Sequence, residues 1–583
     1  MRHAHVIAMA ALLAACSDEG PRGARSAAPA ASASPSGSHR RREREAPSSA
    51  TPVASASAPP PPSGPHRPPN ILFLLSDDQR ADSLSCMPKL KQELGAKGVT
   101  FSHYFASTPL CCPARTTLMT GLYAHNHHVR TNGDADDEEG EEVQGDPGAV
   151  QFNKEGNEQK VIAKYLQSAG YLTGHFGKYL NGYDKILKTD ARYVPPYWNE
   201  WHAFPHAEYY DFILVEQGKA FPKTKRTCFL SDAAGGRKKE KKCKDDVDEV
   251  VDDGKEHYSS DVLASRVVDF VKDAHDAGKP FFAYVALKAP HGPFQSPRRY
   301  QPDPKKVEFT DEAMRRLGAC ELFERKDPPP SVLEADVSDK PKWIQELEGK
   351  TKPSKIDAIR KQQLVSLLGN EDALESILDA LDAAGERDNT ILVYAGDNGF
   401  SWGEHHYTSK NCAYEECERV PLVIYDPRRP QSGSRTSDAL VADVDIAPTL
   451  LDLAGVTWPT GNKVNGVSLG AILRDPSATF PRDEILVECW GNQKPAHPPI
   501  VAGVRTRSWK YVVQYADGDL TKPSVGSAKA PTIELYDLQK DPYELDNLLA
   551  IPSEARTAKG YTQAGIDGVV TEMKGRLEQL LKQ

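Results

Sequence analysis

The sequence has no apolar run long enough to span a membrane. Its longest apolar run, Val6–Ala15, has ten residues, about half of the roughly 20 that a transmembrane helix requires. No two cysteines have the Cys-x-x-Cys spacing that is typical of zinc sites. Positive charge is not in excess either, because the net charge is −10 and the isoelectric point is near 6.0. The chain has no general positive field for phosphates, so nucleic acid is not an expected partner.

The N-terminus carries an export signal. Val6–Ala15 has the length of a signal-peptide core. The ending Leu13-Ala-Ala-Cys16 is typical of a bacterial lipobox. We predict a signal peptide over residues 1–15, lipid attachment to Cys16, and an exported envelope lipoprotein held at the outer membrane or cell surface by its anchor. The alternative is an ordinary secretory peptide that is cleaved after a small residue.

Length and composition indicate the domain organisation. At 583 residues the chain is too long for one hydrophobic core. Residues 16–68 are rich in Pro, Ala, Ser and Arg and have almost no large apolar residue, which predicts a disordered tether. We place a catalytic domain at residues 69–478 and a smaller C-terminal subdomain at residues 479–583.

Short apolar runs alternate with helical patterns over most of the chain. Ile71–Leu75, Phe281–Leu287 and Thr390–Tyr394 predict strands that are buried on both faces. Leu263–Val271 and Leu374–Leu381 have helical spacing. The alternation predicts an α/β fold with a large, mostly parallel sheet flanked by helices.

Two further helix boundaries and the C-terminal region complete this prediction. Asn370 is a candidate N-cap and Gly385 a candidate stop for the helix around Leu374–Leu381. After about Phe480, shorter runs and a final helix from about Gly568 predict a smaller α+β unit with an antiparallel sheet.

Polar residues follow the three apolar runs where each strand should end. These residues are Asp77-Asp78, His291 and Asp397-Asn398. In a parallel sheet the ligand site lies beyond the carboxyl ends of the strands. We therefore expect these side chains to meet at one edge of the sheet.

The segment Leu110–Gly121 contains Cys111, Pro113 and Arg115 in the frame Cys-x-Pro-x-Arg, followed by Thr-Gly. This segment resembles the signature of the type I, formylglycine-dependent sulfatases, whose fold is alkaline-phosphatase-like. The resemblance implies that a formylglycine-generating enzyme oxidises Cys111 to 3-oxoalanine, the nucleophile of sulfate-ester hydrolysis. It extends over roughly residues 69–550 and identifies Cys111 and not Cys112 as the modified residue.

The resemblance also assigns roles to the polar residues. Asp77, Asp78, Asp397, Asn398 and the modified Cys111 match the metal motifs, and the oxygen ligands favour Ca²⁺, with Mg²⁺ as the alternative. Arg115, Lys178, His291 and Lys410 fall where the family places sulfate-binding and acid–base groups. These cations and the N-terminus of the helix after Cys111 would surround the anionic sulfate with positive charge.

Other segments resemble one branch of the family. Cys111-Cys-Pro113, His125–His128 and Lys178–Asn181 are similar to the N-acetylglucosamine-6-sulfatases and extracellular heparan 6-O-sulfatases. Many sulfatases have a histidine two residues after the lysine that corresponds to Lys178. This chain has Leu180 at that position. We predict a 6-O-sulfated amino sugar in a glycosaminoglycan-like chain as substrate, with contacts at a pocket rim from His127, Asn181, His405 and Trp402.

Two charged insertions and the cysteines leave alternatives open. Residues 134–142 contain seven acidic residues, and residues 219–244 contain ten Lys or Arg. The basic segment is either a soluble hairpin or a docking patch for sulfated polysaccharide. Export permits disulfides, and Cys228–Cys243 and Cys412–Cys417 are the candidate pairs.

Two other functions are compatible with these motifs. The first is a phosphonate or phosphate ester hydrolase of the same superfamily, since Cys-x-Pro-x-Arg alone does not separate the two reactions. The second is an inactive lipoprotein that binds sulfated glycans, which would apply if Cys111 were never oxidised.

Overall fold

The computed structural model describes residues 67–133, 146–231, 247–429, 434–491, 496–516, 518–524 and 532–583. Several predictions lie outside these residues: the signal peptide, Cys16, the tether up to residue 66, the acidic segment 134–142, and Cys243 with residues 232–244 of the basic segment. In the part of the chain that the structure describes, no helix combines the length and apolar character that a membrane crossing requires.

The strands of the described residues are β1 (Asn70–Ser76), β2 (Val99–Phe101), β3 (Tyr104–Phe105), β4 (Leu172–Lys178), β5 (Glu200–Phe204), β6 (Phe212–Gln217), β7 (Lys225–Phe229), β8 (Glu249–Val251), β9 (Phe281–Ala286), β10 (Thr390–Gly396), β11 (Leu422–Tyr425), β12 (Arg435–Ser437), β13 (Val441–Ala442), β14 (Glu484–Trp490), β15 (Ile500–Thr506), β16 (Trp509–Gln514) and β17 (Ile533–Asp537).

The α-helices of the same residues are α1 (Pro88–Leu90), α2 (Cys111–Thr120), α3 (Ala124–His127), α4 (Gly148–Lys154), α5 (Ile162–Ser168), α6 (Tyr183–Thr189), α7 (Ser259–Asp276), α8 (Asp311–Leu317), α9 (Lys342–Gln345), α10 (Pro353–Ala383), α11 (Glu415–Glu418), α12 (Ile446–Ala454), α13 (Gly470–Arg474), α14 (Ser553–Ala558) and α15 (Gln563–Leu580).

A large mixed sheet and a small antiparallel sheet organise the described residues. The large sheet has the strand order β12-β2-β11-β10-β1-β9-β4-β5-β6-β7-β8, and its centre, β10-β1-β9-β4, is parallel. The small sheet, β14-β15-β16-β17, is antiparallel throughout. The predicted fold class is therefore confirmed.

The central strand β1 is buried on both faces of the large sheet. Successive side chains of a strand point to opposite faces. Ile71 and Phe73 accordingly belong to the core that includes α2, α5 and α12. Leu72 and Leu74 belong to the core that includes α7 and α10 on the other face. This two-sided burial explains why β1 has a continuous apolar sequence.

Two helix boundaries differ from the prediction. Helix α10 begins at Pro353, so Asn370 lies in its interior and is not an N-cap. Asn370 is buried and its Nδ2 donates to the carbonyl oxygen of Ala289 at 2.8 Å, a tertiary contact that replaces the expected cap. Helix α15 begins at Gln563, five residues before Gly568, because Thr562 caps it by accepting from Gly565 N. Gly385, with φ +66°, follows the end of α10 as expected.

The structure contains one disulfide that the sequence left open and one that it suggested. Cys86 pairs with Cys320, and Cys412 pairs with Cys417, which confirms the second candidate. Cys228 is disulfide-bonded, while its predicted partner Cys243 lies outside the described residues. Cys111, Cys112 and Cys489 are buried, free thiols.

Candidate active site

Cys111 is the first residue of α2 and is completely buried. Leu110 before it is extended, with φ −149° and ψ 139°, so the chain turns from extended to helical at the cysteine. Pro113 lies in the first turn, where its missing N–H has no helical partner to lose. The partial positive charge of the helix N-terminus therefore acts at the Cys111 side chain.

The parallel centre of the large sheet positions the charged residues around Cys111. Asp77 follows β1, Asp397 follows β10, and Lys178 ends β4. Ser76 pairs with Gly396 in register, so the two aspartates start from the same edge. His291 lies in the segment after β9, which is the strand between β1 and β4. These strand ends therefore lie together at one edge of the sheet, as expected.

A close approach of β4 to β9 requires glycine next to Lys178. Gly177 has φ +107°, and a Cβ at this position would lie 2.1 Å from the carbonyl oxygen of Ala286. A side chain there would push β4 away from β9 and would displace Lys178 from the edge of the sheet.

The thiol of Cys111 lies between one carboxylate and two ammonium groups. Its Sγ is 3.4 Å from Asp77 Oδ1, 3.4 Å from Lys178 Nζ and 3.2 Å from Lys410 Nζ. The ammonium of Lys410 also donates to Asp78 Oδ1 at 2.8 Å. Two cations therefore face the position where a sulfate ester would react.

Arg115 contacts both aspartates that follow the central strands β1 and β10. Its Nε donates to Asp397 Oδ2 at 2.9 Å, and its Nη2 lies 3.3 Å from Asp77 Oδ2. Its Nη1 donates to the carbonyl oxygen of Lys178 at 2.8 Å. Arg115 thus holds strand ends together, in addition to contributing positive charge.

The electrostatic environment shifts the pKa values of Asp77 and Cys111 in opposite directions. Burial acts to raise the pKa of Asp77, but Lys178, His291 and Arg115 outweigh it and lower that pKa well below its usual value. Burial, followed by the charge of Asp77, raises the pKa of the Cys111 thiol. The unmodified thiol is therefore protonated and a poor nucleophile, which is consistent with a need for chemical conversion.

The residues at the strand ends form a possible metal-binding site. Oxygen and other ligand atoms of Asp77, Asp78, Cys111 and His291 lie within 4.8 Å of one another. The side-chain Oδ1 of Asn398 is buried without a hydrogen-bond partner, although its Nδ2 donates to Asp78 Oδ1 at 2.7 Å. A carboxylate-rich set with an unsatisfied amide oxygen fits a hard cation.

Asp397 has a different setting from the other predicted ligands. Its Oδ1 accepts the backbone N–H groups of Asp78 and Asn398 at 3.1 and 2.7 Å, and its Oδ2 accepts from Arg115. Asp397 therefore orders the site in this structure, and it would bind the cation with the lone pairs that remain.

A pocket opens from this centre towards solvent. Lys178, Asn181 and His291 line it, together with two residues that the sequence analysis missed, His206 and Lys288. Lys288 directly follows the apolar run Phe281–Leu287. Its position after a predicted strand, which singled out His291, could therefore have identified Lys288 as well. Asn181 is the only predicted rim residue among the described lining residues of this pocket.

Three predicted rim residues are buried in the interior instead. His127 is fully buried and its Nε2 lies 3.1 Å from Thr117 Oγ1. Trp402 is 2% exposed, and the guanidinium of Arg80 lies 4.3 Å from its ring centre. His405 is 1% exposed and bonds to Glu334. Each of these side chains packs against its own neighbours inside the protein, so none of them offers a face to a sugar.

The sulfatase family matches residues 69–456, which is more than half of the chain. This chain belongs to the sulfatase family. A second match, described as N-sulphoglucosamine sulphohydrolase, C-terminal, covers residues 403–580. The enzyme class predicted from Cys111, Pro113 and Arg115 is thereby confirmed.

This sulfatase is similar to individual relatives over most of its length. It is 31% identical over 438 residues to a Sulf-1 homologue of Caenorhabditis elegans, covering 72% of this chain and about half, 52%, of that protein. It is 28% identical over 513 residues to the human N-acetylglucosamine-6-sulfatase, covering 83% of this chain and 81% of the relative.

The fold has a solved counterpart. A structure in complex with its substrate D-glucosamine-2-N,6-O-disulfate matches with a TM-score of 0.59 at 22% identity, covering 89% of this chain and 98% of the other. At this identity the match supports the fold alone.

Proposed function

We propose that this sulfatase hydrolyses 6-O-sulfate esters of amino sugars in glycosaminoglycan-like chains, with Cys111 converted to formylglycine and Ca²⁺ as cofactor. One observation carries the chemical part of the proposal. Cys111 begins a helix, and its Sγ lies 3.4 Å from Nζ of Lys178, a residue that lines the pocket, and 3.2 Å from Lys410 Nζ. This arrangement suits an anionic substrate and a nucleophile that is generated at position 111.

Asp77, Asp78, Asp397 and Asn398 would hold the Ca²⁺, which when bound supplies positive charge that polarises the sulfate oxygens. Lys178 and Lys410 would bind the same sulfate and compensate the charge that develops on it. Arg115 would keep Asp77 and Asp397 in place, because it contacts both. His291 would transfer a proton to the leaving sugar oxygen, since it lines the pocket close to Asp78.

The preference for a 6-O-sulfate rests on shape and on relatives. A primary 6-O-sulfate projects away from its ring, so it can reach towards a buried Cys111 while the ring stays in the pocket that Asn181, His206 and Lys288 line. The relative named N-acetylglucosamine-6-sulfatase supports the same sugar position. Lys288 and His206 offer positive charge and hydrogen bonds to further substituents of that ring.

A substrate panel tests this proposal. Released sulfate would be measured on 2-O-, 3-O-, N- and 6-O-sulfated disaccharides, and on intact heparan and chondroitin sulfates. We expect turnover on the 6-O-sulfated glucosamine disaccharides. Turnover confined to simple aryl sulfates would contradict the sugar assignment, and preferential turnover of aryl phosphonates in a paired assay would favour the phosphonate hydrolase.

The maturation and location of the enzyme form part of the same proposal. We propose that a formylglycine-generating enzyme modifies Cys111 before folding, because the thiol is inaccessible in the folded chain. We also propose export and anchoring through lipidated Cys16. Peptide mass spectrometry from the native host would show a mass consistent with formylglycine at position 111. An unmodified cysteine there would favour the inactive glycan-binding lipoprotein.

A further inference from the structure

A second cluster of potential metal ligands lies outside the active site. It consists of His405, in the segment after β10, Glu416 in α11, and Glu544, which follows β17. Their ligand atoms all lie within 4.8 Å of one another. Glu544 and His405 are each 1% exposed. Residues 405 and 544 are far apart in sequence, so only the folded chain brings these groups together.

The imidazole of His405 is oriented like that of a metal-binding histidine. Its Nδ1 lies 2.6 Å from Glu334 Oε2, and we assign the proton to Nδ1, the tautomer that leaves the lone pair on Nε2. That Nε2 is buried without a hydrogen-bond partner. In metal-binding histidines, the ring nitrogen that does not bind the metal usually donates its proton to a carboxylate, which fixes the tautomer. A buried imidazole nitrogen without a partner is otherwise a cost to the fold.

The carboxylates of the cluster retain acceptor capacity. Glu416 Oε2 is buried without a hydrogen-bond partner. Glu544 Oε2 accepts the backbone N–H of Glu415 at 2.9 Å, and its Oε1 lies 2.7 Å from Lys510 Nζ without hydrogen-bond geometry. Each carboxylate therefore retains lone pairs that could bind a cation.

Several further buried carboxylates lie next to this cluster. Four carboxylates, those of Glu415, Glu416, Glu418 and Glu544, surround two cationic side chains. Lys510 lies within 3.5 Å of Glu415, Glu418 and Glu544, and Arg505 pairs with Glu415 at 3.0 Å. Both oxygens of Glu418 lack hydrogen-bond partners. Burial raises the pKa of Glu416 to about 8 and that of Glu418 to about 7, so the ionised form of these buried carboxylates is costly without a further cation.

We propose that His405, Glu416 and Glu544 form a second divalent-cation site, separate from the one at Asp77 and Asp78. One imidazole and two carboxylates favour a transition-series ion such as Zn²⁺ or Mn²⁺ over Ca²⁺. The cation neutralises the buried carboxylates and holds the segment that carries His405 and Lys410 against α11 and the residues after β17.

This second site connects to the active site through short contacts. Glu404, next to His405, accepts from Arg80 Nη1 at 2.8 Å, and Arg80 lies two residues after Asp78. Lys410, five residues after His405, contacts Asp78 and Cys111. Loss of the second cation is therefore expected to loosen Lys410 and to lower kcat.

The test uses the full mature chain, stripped with a chelator and then loaded with Mn²⁺ alone. Equilibrium dialysis of the wild type should give two Mn²⁺ per chain. The Asp397→Ala variant, in which the first site is weakened, should keep one Mn²⁺ that shows coupling to a single imidazole nitrogen in pulsed EPR. Adding His405→Gln should remove that coupling and weaken the remaining site by at least about 10-fold.

Two further variants keep the test decisive. His406→Gln is the matched control, because it changes the neighbouring histidine, which is outside the ligand set, and should leave the Mn²⁺ and its nitrogen coupling unchanged. Glu416→Gln is nearly isosteric and serves if His405→Gln does not fold; it should weaken the second site similarly. A wild-type chain that binds only one Mn²⁺, or unaltered binding in both Glu416→Gln and His405→Gln, would overturn the proposal.

Discussion

Lys410 and Asp78 are 332 residues apart in sequence, yet Lys410 Nζ donates to Asp78 Oδ1 at 2.8 Å. The same ammonium lies 3.2 Å from Cys111 Sγ, so one side chain joins the proposed metal ligands to the proposed nucleophile. Both groups of the pair are buried, where the interaction is screened little by water.

Removal of this ammonium should impair catalysis more than folding. We expect Lys410→Met to lower kcat by about 100-fold or more, because a preorganised positive charge on the reacting sulfate is lost. Sulfate release under saturating substrate is the measurement. Lys350→Met, at an exposed lysine, is the control and should retain wild-type kcat. Equal kcat in the two variants would remove Lys410 from the proposed site.

The two adjacent cysteines should differ sharply. Cys111→Ala should abolish turnover while leaving the thermal midpoint close to that of the wild type, since it removes the precursor of the nucleophile. Cys112→Ser should retain turnover, because Cys112 Sγ only accepts the backbone N–H of Asn181 at 3.1 Å. Activity assays with thermal unfolding curves check both. Full activity of Cys111→Ala would refute the assignment of position 111.

Removal of the proposed ligand oxygens should lower the affinity for Ca²⁺. We expect Asn398→Ala and Asp397→Ala each to weaken Ca²⁺ binding, as measured by calorimetric titration of chelator-treated protein. Asn398 matters because its buried Oδ1 has no partner within the protein. Asn153→Ala, at an exposed asparagine, is the control. Active wild-type enzyme without any divalent ion in elemental analysis would contradict the metal assignment.

Asp443 should make the fold less stable at neutral pH than at mildly acidic pH. Burial, opposed by hydrogen bonds and reinforced by Asp445, raises the pKa of Asp443 to about 7. Between its ordinary pKa and about 7, the unfolded chain loses this proton while the folded chain keeps it. The unfolded state then binds fewer protons, so the contribution to the free energy of unfolding falls as pH rises.

An isosteric substitution tests this pH dependence. We expect Asp443→Asn to raise the thermal midpoint more at pH 8 than at pH 5, where the wild-type carboxyl is already protonated. Asp438→Asn is the matched control, since this side chain is 79% exposed and should show no such difference. Equal shifts of the Asp443→Asn midpoint at the two pH values would contradict the prediction.

The sequence was sufficient for the features that depend on neighbouring residues. The continuous apolar runs predicted β1, β9 and β10, because a strand buried on both faces needs apolar side chains at every position. The motif around Cys111, the Asp-Asp pair at residues 77–78 and the Asp-Asn pair at residues 397–398 are local as well. Their meeting at one edge follows from the direction of parallel strands, which is why the centre of the site could be assembled in advance.

Only the tertiary structure decided which of the other polar residues face solvent. Trp402 and His405 looked suited to a sugar, but Arg80 packs on one and Glu334 bonds to the other. Their neighbours come from distant parts of the chain, and burial depends on those neighbours. The Cys86–Cys320 disulfide and the cluster of His405, Glu416 and Glu544 have the same origin. The spacing of apolar residues along the chain determines the helices and strands. Contacts between residues hundreds of positions apart form only when those helices and strands pack together.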